Sequence, residues 1–217
     1  MSRSILPLLT VAAALCAASA AQAAEVYTAI GAPGLMLGVA QPINNQITLR
    51  ADLASAGNRS RNSTQEGIAY QGKLKSGRFA VFGDWFPMDS GFRITAGLTS
   101  NDYKLDLDAS GAGRTVQVGD GTYTLTAADG LAVAMRFPST TPYLGIGWGH
   151  RLGDSGWRFN ADLGAMIGTA SVTVTPRGQL ASPLAQADVA KETAQLRDKV
   201  EKTKAIPQLS IGVSYVF

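Results

Sequence analysis

The chain has 217 residues, of which 46% are hydrophobic and 16% charged, with a formal net charge of +3. A mean hydropathy of +0.07 is too low for a bundle of membrane helices and too high for a disordered chain. One Cys and one His cannot make an internal disulfide or a four-ligand zinc cage, and the scattered basic residues do not mark a nucleic-acid surface.

Residues 1–23 read as a cleavable secretory signal peptide. Arg3 supplies the positive start, Ile5 to Ala20 is almost wholly apolar, and Ala21-Gln22-Ala23 is a small-x-small cleavage site. Cys16 lies within this leader, so the mature span, 24–217, carries no thiol. From Val26 to Leu49 there is no charge, a length that spans a bilayer as a helix. Gly31, Pro33, Gly34, Gly38 and Pro42 break such a helix and suit strands with a connection.

Downstream the dominant signal is a two-residue period. Ile47, Leu49, Ala51 and Leu53 alternate with Gln46, Thr48, Arg50 and Asp52, and Phe79, Val81 and Trp85 with Arg78, Phe82 and Asp84. Phe92, Ile94, Ala96 and Leu98 alternate with Arg93, Thr95, Gly97 and Thr99. Trp157 to Ile167 and Leu209 to Phe217 continue the pattern, and Tyr27 to Ala40, Glu66 to Lys75 and Pro142 to His150 show it more weakly. These segments predict eight strands, with turns at Lys75-Ser76-Gly77-Arg78, Pro87 to Ser90 and Arg151 to Ser155. A meander of that length removes its edges by closing on itself.

A soluble barrel points its apolar face inward, whereas a membrane barrel points it at lipid and encloses the polar face. The polar face carries many glycines together with Arg50, Asp52, Lys73, Arg78, Asp84, Arg93, Arg158 and Asp162. A dry ligand pocket tolerates such charges poorly, and a hydrogen-bonded lumen accepts them. Tyr27, Trp85, Phe92, Trp148, Trp157 and Tyr215 fall near strand ends on the apolar side, where an interfacial aromatic belt is expected. The fold expected is therefore all-β: a closed antiparallel transmembrane β-barrel of about eight strands.

The export signal, the alternating segments, the Tyr143-Leu144-Gly145-Ile146-Gly147-Trp148-Gly149 run, the Asp162-Leu163-Gly164 step and the closing Leu209 to Phe217 resemble small, eight-stranded outer-membrane β-barrels of Gram-negative bacteria. The alternating Ile211, Val213, Tyr215 and terminal Phe217 resemble the signal read by the barrel assembly machinery. The resemblance implies a bacterial outer-membrane location, outer-membrane lipids and lipopolysaccharide as surroundings, the assembly machinery as a biogenesis partner, and a monomer. Unlike the two-domain porin-like relatives, the sequence has no peptidoglycan-binding domain after the barrel.

With both termini periplasmic, the two long inserts, about 100–141 and 170–206, face the exterior. The apolar parity changes between Leu98 and Tyr103, Leu105, Leu107, and again between Ile167 and Val172, Val174. A bulge or a departure from lipid has that effect, so both strands are expected to continue as a polar collar. Thr115 to Val118 and Thr122 to Thr126 around Gly119-Asp120-Gly121 predict a hairpin. Ser182-Pro183 predicts the start of an amphipathic helix running to about Lys204 with Val189, Leu196 and Val200 as its stripe, packed on the rim or serving as a lid.

Little in the chain points to catalysis. His150 sits at a turn on the periplasmic end and reads as an exposed structural residue; no nucleophile elbow, zinc motif or phosphate loop occurs. Asp102, Asp106 and Asp108 have the spacing of a solvated strand face rather than a cation site, so neither metal nor cofactor is expected. The expectation is a non-enzymatic outer-membrane barrel with a filled polar lumen and a structural or surface-interaction role. A narrow uptake barrel drawing a small anionic or apolar solute past an excess of basic lumen residues is the second reading, and a lipid-modifying enzyme the third.

Overall fold

The computed structural model describes residues 24–65, 68–88, 90–110, 113–151 and 153–217. The leader expected at residues 1–23 lies outside these residues. The described chain is all-β apart from one helix and one 3-10 turn. Its strands are β1 (Glu25–Gly31), β2 (Gly34–Asn44), β3 (Ile47–Gln65), β4 (Ile68–Trp85), β5 (Phe92–Asn101), β6 (Lys104–Ser110), β7 (Thr115–Val118), β8 (Gly121–Thr124), β9 (Gly130–Arg136), β10 (Thr140–Trp148), β11 (Gly156–Ile167) and β12 (Ser171–Arg177). The 3-10 turn (Gly178–Ala181) and helix α1 (Gln186–Glu201) then lead into β13 (Ala205–Val216).

Every pairing is antiparallel. From β1, hydrogen-bonded neighbours run through β2, β3, β4, β5, β10, β11 and β13 and return to β1, a ring of eight strands. The seam joins the first strand to the last, with Val26 opposite Tyr215 and Ile30 opposite Ile211. Above the ring, β3 and β4 continue, and β6, β9 and β12 line up beside β4 as a one-sided extension of the wall.

The expected strand number is met by different strands. Tyr27 to Ala40 is two strands joined by a tight turn at Ala32-Pro33, where Gly34 takes φ +103° with its Cα packed on the Ser55 carbonyl, leaving no room for a Cβ. Conversely, Ala56 to Gln65, which lies between the alternating segments, is the upper half of β3, and Lys75-Ser76-Gly77-Arg78 lies in mid-β4 instead of a turn. The two long strands pair throughout their length, and one bulge between Ser55 and Gly57 absorbs the irregularity. Backbone pairing thus satisfies a polar stretch that the hydropathy pattern marks as a connection.

The parity change near residue 100 is not a bulge. Arg78 faces Asn101 and Lys75 faces Lys104, three steps on in both strands, so no residue is inserted. The backbone keeps its sense while the chemistry changes sides. In the ring, Arg78, Ala80, Phe82 and Asp84 are buried inside and Phe79, Val81 and Trp85 are exposed outside. Beyond Gly77 the inner row reads Leu74, Leu105, Met135 and Val172, and the outer row Lys75, Lys104, Arg136 and Ser171. The continuation expected as a collar is therefore a half-wall with its apolar face inward.

The inserts fold onto that inner face. Leu131 of β9 packs on a small core of Val118, Leu125, Leu180, Ala185 and Val189 drawn from the hairpin, the 3-10 turn and α1. The hairpin forms as expected, turning at Gly119 with φ +60°. The helix starts later than its Ser-Pro signal predicts. Ala185 is its buried N-terminal flank, the Ser182 carbonyl is taken by the Ala185 N–H, and no side chain caps the end.

Asp129 ties this tip together. Its carboxylate accepts from the Thr126 N–H and hydroxyl, both at 2.7 Å, and from the Gln179 N–H at 2.6 Å, which pulls its pKa down to about 2. A carboxyl lowered on folding stabilises fully above its unfolded value of about 4 and loses that contribution as pH falls through the folded one. Protection factors of the Thr126 and Gln179 amides, exchange rates corrected for the intrinsic pH dependence, should therefore stay high down to about pH 4 and fall towards pH 2. Asp129→Asn should be fast at neutral pH, and equal protection of both proteins at neutral pH would contradict the assignment.

Candidate functional site: the enclosed charge layer

Strand alternation sends every second residue of the ring inward, and the residues so enclosed form three stacked layers. The middle layer is ionic. Arg50 of β3 donates to Asp84 of β4 through Nε at 2.5 Å and Nη2 at 3.2 Å, and to Asp162 of β11 through Nη2 at 3.1 Å. Arg93 of β5 donates to the same Asp162 oxygen at 2.7 Å and lies 3.3 Å from Asp84 through Nε. Each guanidinium thus meets both carboxylates, and Thr95 adds a 2.6 Å hydrogen bond to Asp84. A second pair stands beside this ring: Arg78 donates to Asp52 at 2.7 Å, and the Tyr27 hydroxyl donates to the other Asp52 oxygen at 3.0 Å. The Phe82 ring joins the two groups, with the Arg50 guanidinium 4.9 Å and that of Arg78 5.6 Å from its centroid.

Towards the extension the lumen is filled by apolar residues. Ala80, Phe82, Tyr143 and Met166 are buried together, with Tyr103, Phe137 and Ile206 packed on them. At the opposite end, His150 and Glu25 are fully buried with His150 Nδ1 2.8 Å from the Glu25 carboxylate, the Thr48 hydroxyl donates to the His150 carbonyl, and Tyr27 lies 4.6 Å from the imidazole. His150 is thus an internal plug rather than the exposed turn residue expected. Its φ of 63° swings the side chain back into the ring. One cavity of about 20 Å³ lies inside the ring, lined by Arg50, Asp52, Arg78, Tyr143 and Asp162 among others. That is room for about one water molecule.

Inward glycines make the packing possible. A Cβ on Gly147 would stand 2.3 Å from the Arg93 guanidinium, and one on Gly38 would stand 2.4 Å from the Tyr27 ring. The glycine-rich polar face seen in the sequence is the surface against which the large enclosed side chains lie.

Of the eight residues expected in the lumen network, Arg50, Asp52, Arg78, Asp84, Arg93 and Asp162 are brought together there. Lys73 is not: it lies on the extension, exposed on the outer side and opposite Asp106. Neither is Arg158, half-buried at the rim, where it donates to the Arg151 and Asp154 carbonyls and fastens the β10–β11 turn. Without these two the enclosed arginines and aspartates balance, three against three. The excess of basic lumen residues is gone, and with it the basis for an anion path. Tyr143, Thr95, Glu25 and His150 escaped the sequence reading; shared parity with Gly145 and Gly147, or with Arg93, is the signal that marks the first two.

The belt needs one correction. Tyr27 faces inward, 4% exposed, because its parity along β1 is that of Glu25 and Ala29 and its hydroxyl has a partner in Asp52. Trp85, Trp148 and Trp157 are exposed outside, Trp157 to 76%, and Phe92 and Tyr215 are half-buried at the same end. Trp157, Tyr215 and Phe217 meet edge to face at 5.4 and 5.2 Å. Ile211, Val213 and Phe217 of the expected assembly signal are exposed on the outer face of the seam strand. Of the acidic residues considered for a cation, Asp102 is paired with Lys75 and Lys104 and Asp108 with Arg177.

No family profile and no curated protein sequence matches the chain. Solved structures do. The crystal structure of CarO2 from Acinetobacter baumannii is similar with a TM-score of 0.61 at 16% identity, over 90% of this chain and 99% of that one. CarO from the same organism is similar with a TM-score of 0.56 at 19% identity, over 90% and 97%. The fold is that of an outer-membrane β-barrel. A weaker likeness, with a TM-score of 0.42 at 10% identity over 90% and 98%, is to a major outer membrane protein from Thermus thermophilus. Among the described residues no helix is long and apolar enough to cross a membrane, which leaves crossing by strands open.

Removing one partner from a buried ionic group strands the others. Asp84→Ala leaves Arg50 and Arg93 short of a carboxylate and should destabilise the barrel by about 3–5 kcal/mol in urea unfolding from lipid vesicles. Lys73→Ala should shift the same curve by less than about 0.5 kcal/mol. Equal effects of the two would refute the internal assignment of Asp84.

Proposed function

We propose that this protein is an outer-membrane β-barrel, exported by its N-terminal leader and monomeric, whose lumen is closed by its own side chains and whose role is structural or surface-binding rather than catalytic. The observation that carries this reading is the inversion of polarity along one continuous wall. Below Gly77 the outer face is apolar and the inner face charged; above it the two exchange. A wall in water throughout has no cause to change sides. A wall crossing from hydrocarbon into water does, because an exposed charge is expensive in lipid and an exposed leucine is not.

The dimensions support the same reading. Outward apolar residues on β11 run from Trp157 to Ile167, ten steps. At about 3.3 Å per step and a tilt of about 40° they rise roughly 25 Å, the height of an outer-membrane apolar band. The tryptophans of the non-extended end then mark the periplasmic interface, and the half-wall, hairpin and α1 stand outside the cell, where they form the surface-binding part. Lipids of the outer membrane surround the ring, and the barrel assembly machinery reads Ile211, Val213, Tyr215 and Phe217 during insertion.

An uptake pathway is disfavoured by the balanced, mutually paired charges and by the small size, about 20 Å³, of the cavity among them. Purified protein in a planar bilayer should give no conductance steps while migrating as a heat-modifiable band in detergent gels. Steps in the bilayer would overturn the filled lumen, and recovery in the aqueous extract would overturn the membrane location. A protease site placed near Gln186 should be cut on intact cells; protection there until the envelope is opened would reverse the orientation.

A further inference from the structure

We infer that the outer wall carries a binding site for the phosphorylated lipid A moiety of lipopolysaccharide, with acyl chains in an apolar groove on β2–β5 and a phosphate on Lys75 and Lys104. The inference rests on the membrane reading above and deepens it by placing one lipid on named residues. The groove has a volume of about 690 Å³. Leu35, Leu37, Leu53 and Phe79 form its apolar walls, the two leucines of β2 each 66% exposed. Its floor rises to the rim over Ser55, Gly77 and Ser100, where the wall has no bulky outward side chain; a Cβ on Gly77 would meet nothing within 4 Å. The recess lies where the apolar band ends.

The head of the groove is basic. Asp102 closes it, held by its N–H to the Gly77 carbonyl at 2.8 Å. Lys75 and Lys104, register partners on β4 and β6, both reach the Asp102 carboxylate, at 2.5 and 2.8 Å, and keep half-exposed side chains. Two ammonium groups on one carboxylate leave a net positive charge and spare N–H donors directed at solvent. Lys73 follows on the same face of β4, opposite Asp106, and Arg136 stands beside Lys104 in the next strand, so the basic residues still outnumber the acidic ones around the head. Mobile counter-ions of water do not need a groove of leucines beneath them. An amphiphile with a phosphate at the level of the rim and chains below it does, and on the extended side of the ring that amphiphile is lipid A.

Asp102 gives the test its sign. In a lipid site the carboxylate competes with the phosphate, so Asp102→Asn should tighten binding, whereas in a purely structural ion-pair cluster it changes nothing in lipid retention. Native mass spectrometry of the full-length barrel in detergent, titrated with bisphosphorylated lipid A, dephosphorylated lipid A and phosphatidylethanolamine, reads this directly. One bisphosphorylated lipid A is expected to be retained. The double substitution Lys75→Gln, Lys104→Gln should weaken it about thirtyfold. Asp102→Asn should strengthen it, and neither control lipid should compete. Equal retention of the phosphorylated and dephosphorylated forms, or no response to the lysine pair, overturns the site. Heat-modifiable migration of the same samples separates that result from failure of the membrane reading, since a barrel that inserts but binds no lipid A loses only the site.

Discussion

An arginine enclosed by a cylinder of β-strands can send its charge only to another side chain. In this ring Arg50 and Arg93 each meet Asp84 and Asp162, and Arg78 meets Asp52. Such a layer is not a generous source of stability, because desolvating the ions consumes most of what their attraction returns. Its effect is on uniqueness. The four residues of the central ring come from β3, β4, β5 and β11, so a slip of one step in any of those registers separates a guanidinium from both carboxylates and turns charge towards the outer face. The enclosed network therefore fixes the register of a wall whose outer leucines and valines would fit many.

The same requirement shapes the small residues. Large inward groups occupy a lumen only as wide as eight strands allow, so strands opposite them surrender side-chain volume: Gly147 to Arg93, Gly38 to Tyr27. Glycine weakens a strand in isolation, and here the loss is offset by burial of the arginine stem and the tyrosine ring against bare backbone. This explains why the polar face looks weak by β-propensity and yet lies in the most regular part of the fold.

The alternation made the ring legible, and its limits show where the pattern stops carrying information. Parity alone identified six of the enclosed charges, because in a closed ring every residue of one parity shares one interior. Lys73 has the parity of Lys75 and falls outside, on a part of β4 that the sequence separates from Arg78 by an apparent turn at Ser76-Gly77. Gly77 lines the outer groove and Ser76 is buried on the inner side, and β4 runs through both without a bend. The polar run Ala56 to Gln65 falls outside the alternating segments for a related reason: strand identity normally comes from an apolar face, and this stretch of β3 gets its pairing from β4 without one. Two errors of opposite sign left the count at eight. Tyr27 misled through its chemistry; an aromatic near a strand end suits an interface, but its hydroxyl finds Asp52 inside.

Taken along the axis, the enclosed layers and the reversal of the wall divide the molecule into two physical tasks. Inside the ring, the ionic group, the Phe82–Tyr143–Met166 cluster interleaved with it and the His150–Glu25 pair together fill the interior. Beyond Gly77 the inner face of the wall turns apolar, and through Leu131 it meets the small core that the hairpin, the 3-10 turn and α1 build among themselves. That core depends on the ring for only one thing, the alignment of β6, β9 and β12 on β4, and the ring depends on it for nothing in the ionic layer. Variation in the inserts can then alter this tip without disturbing the buried charges.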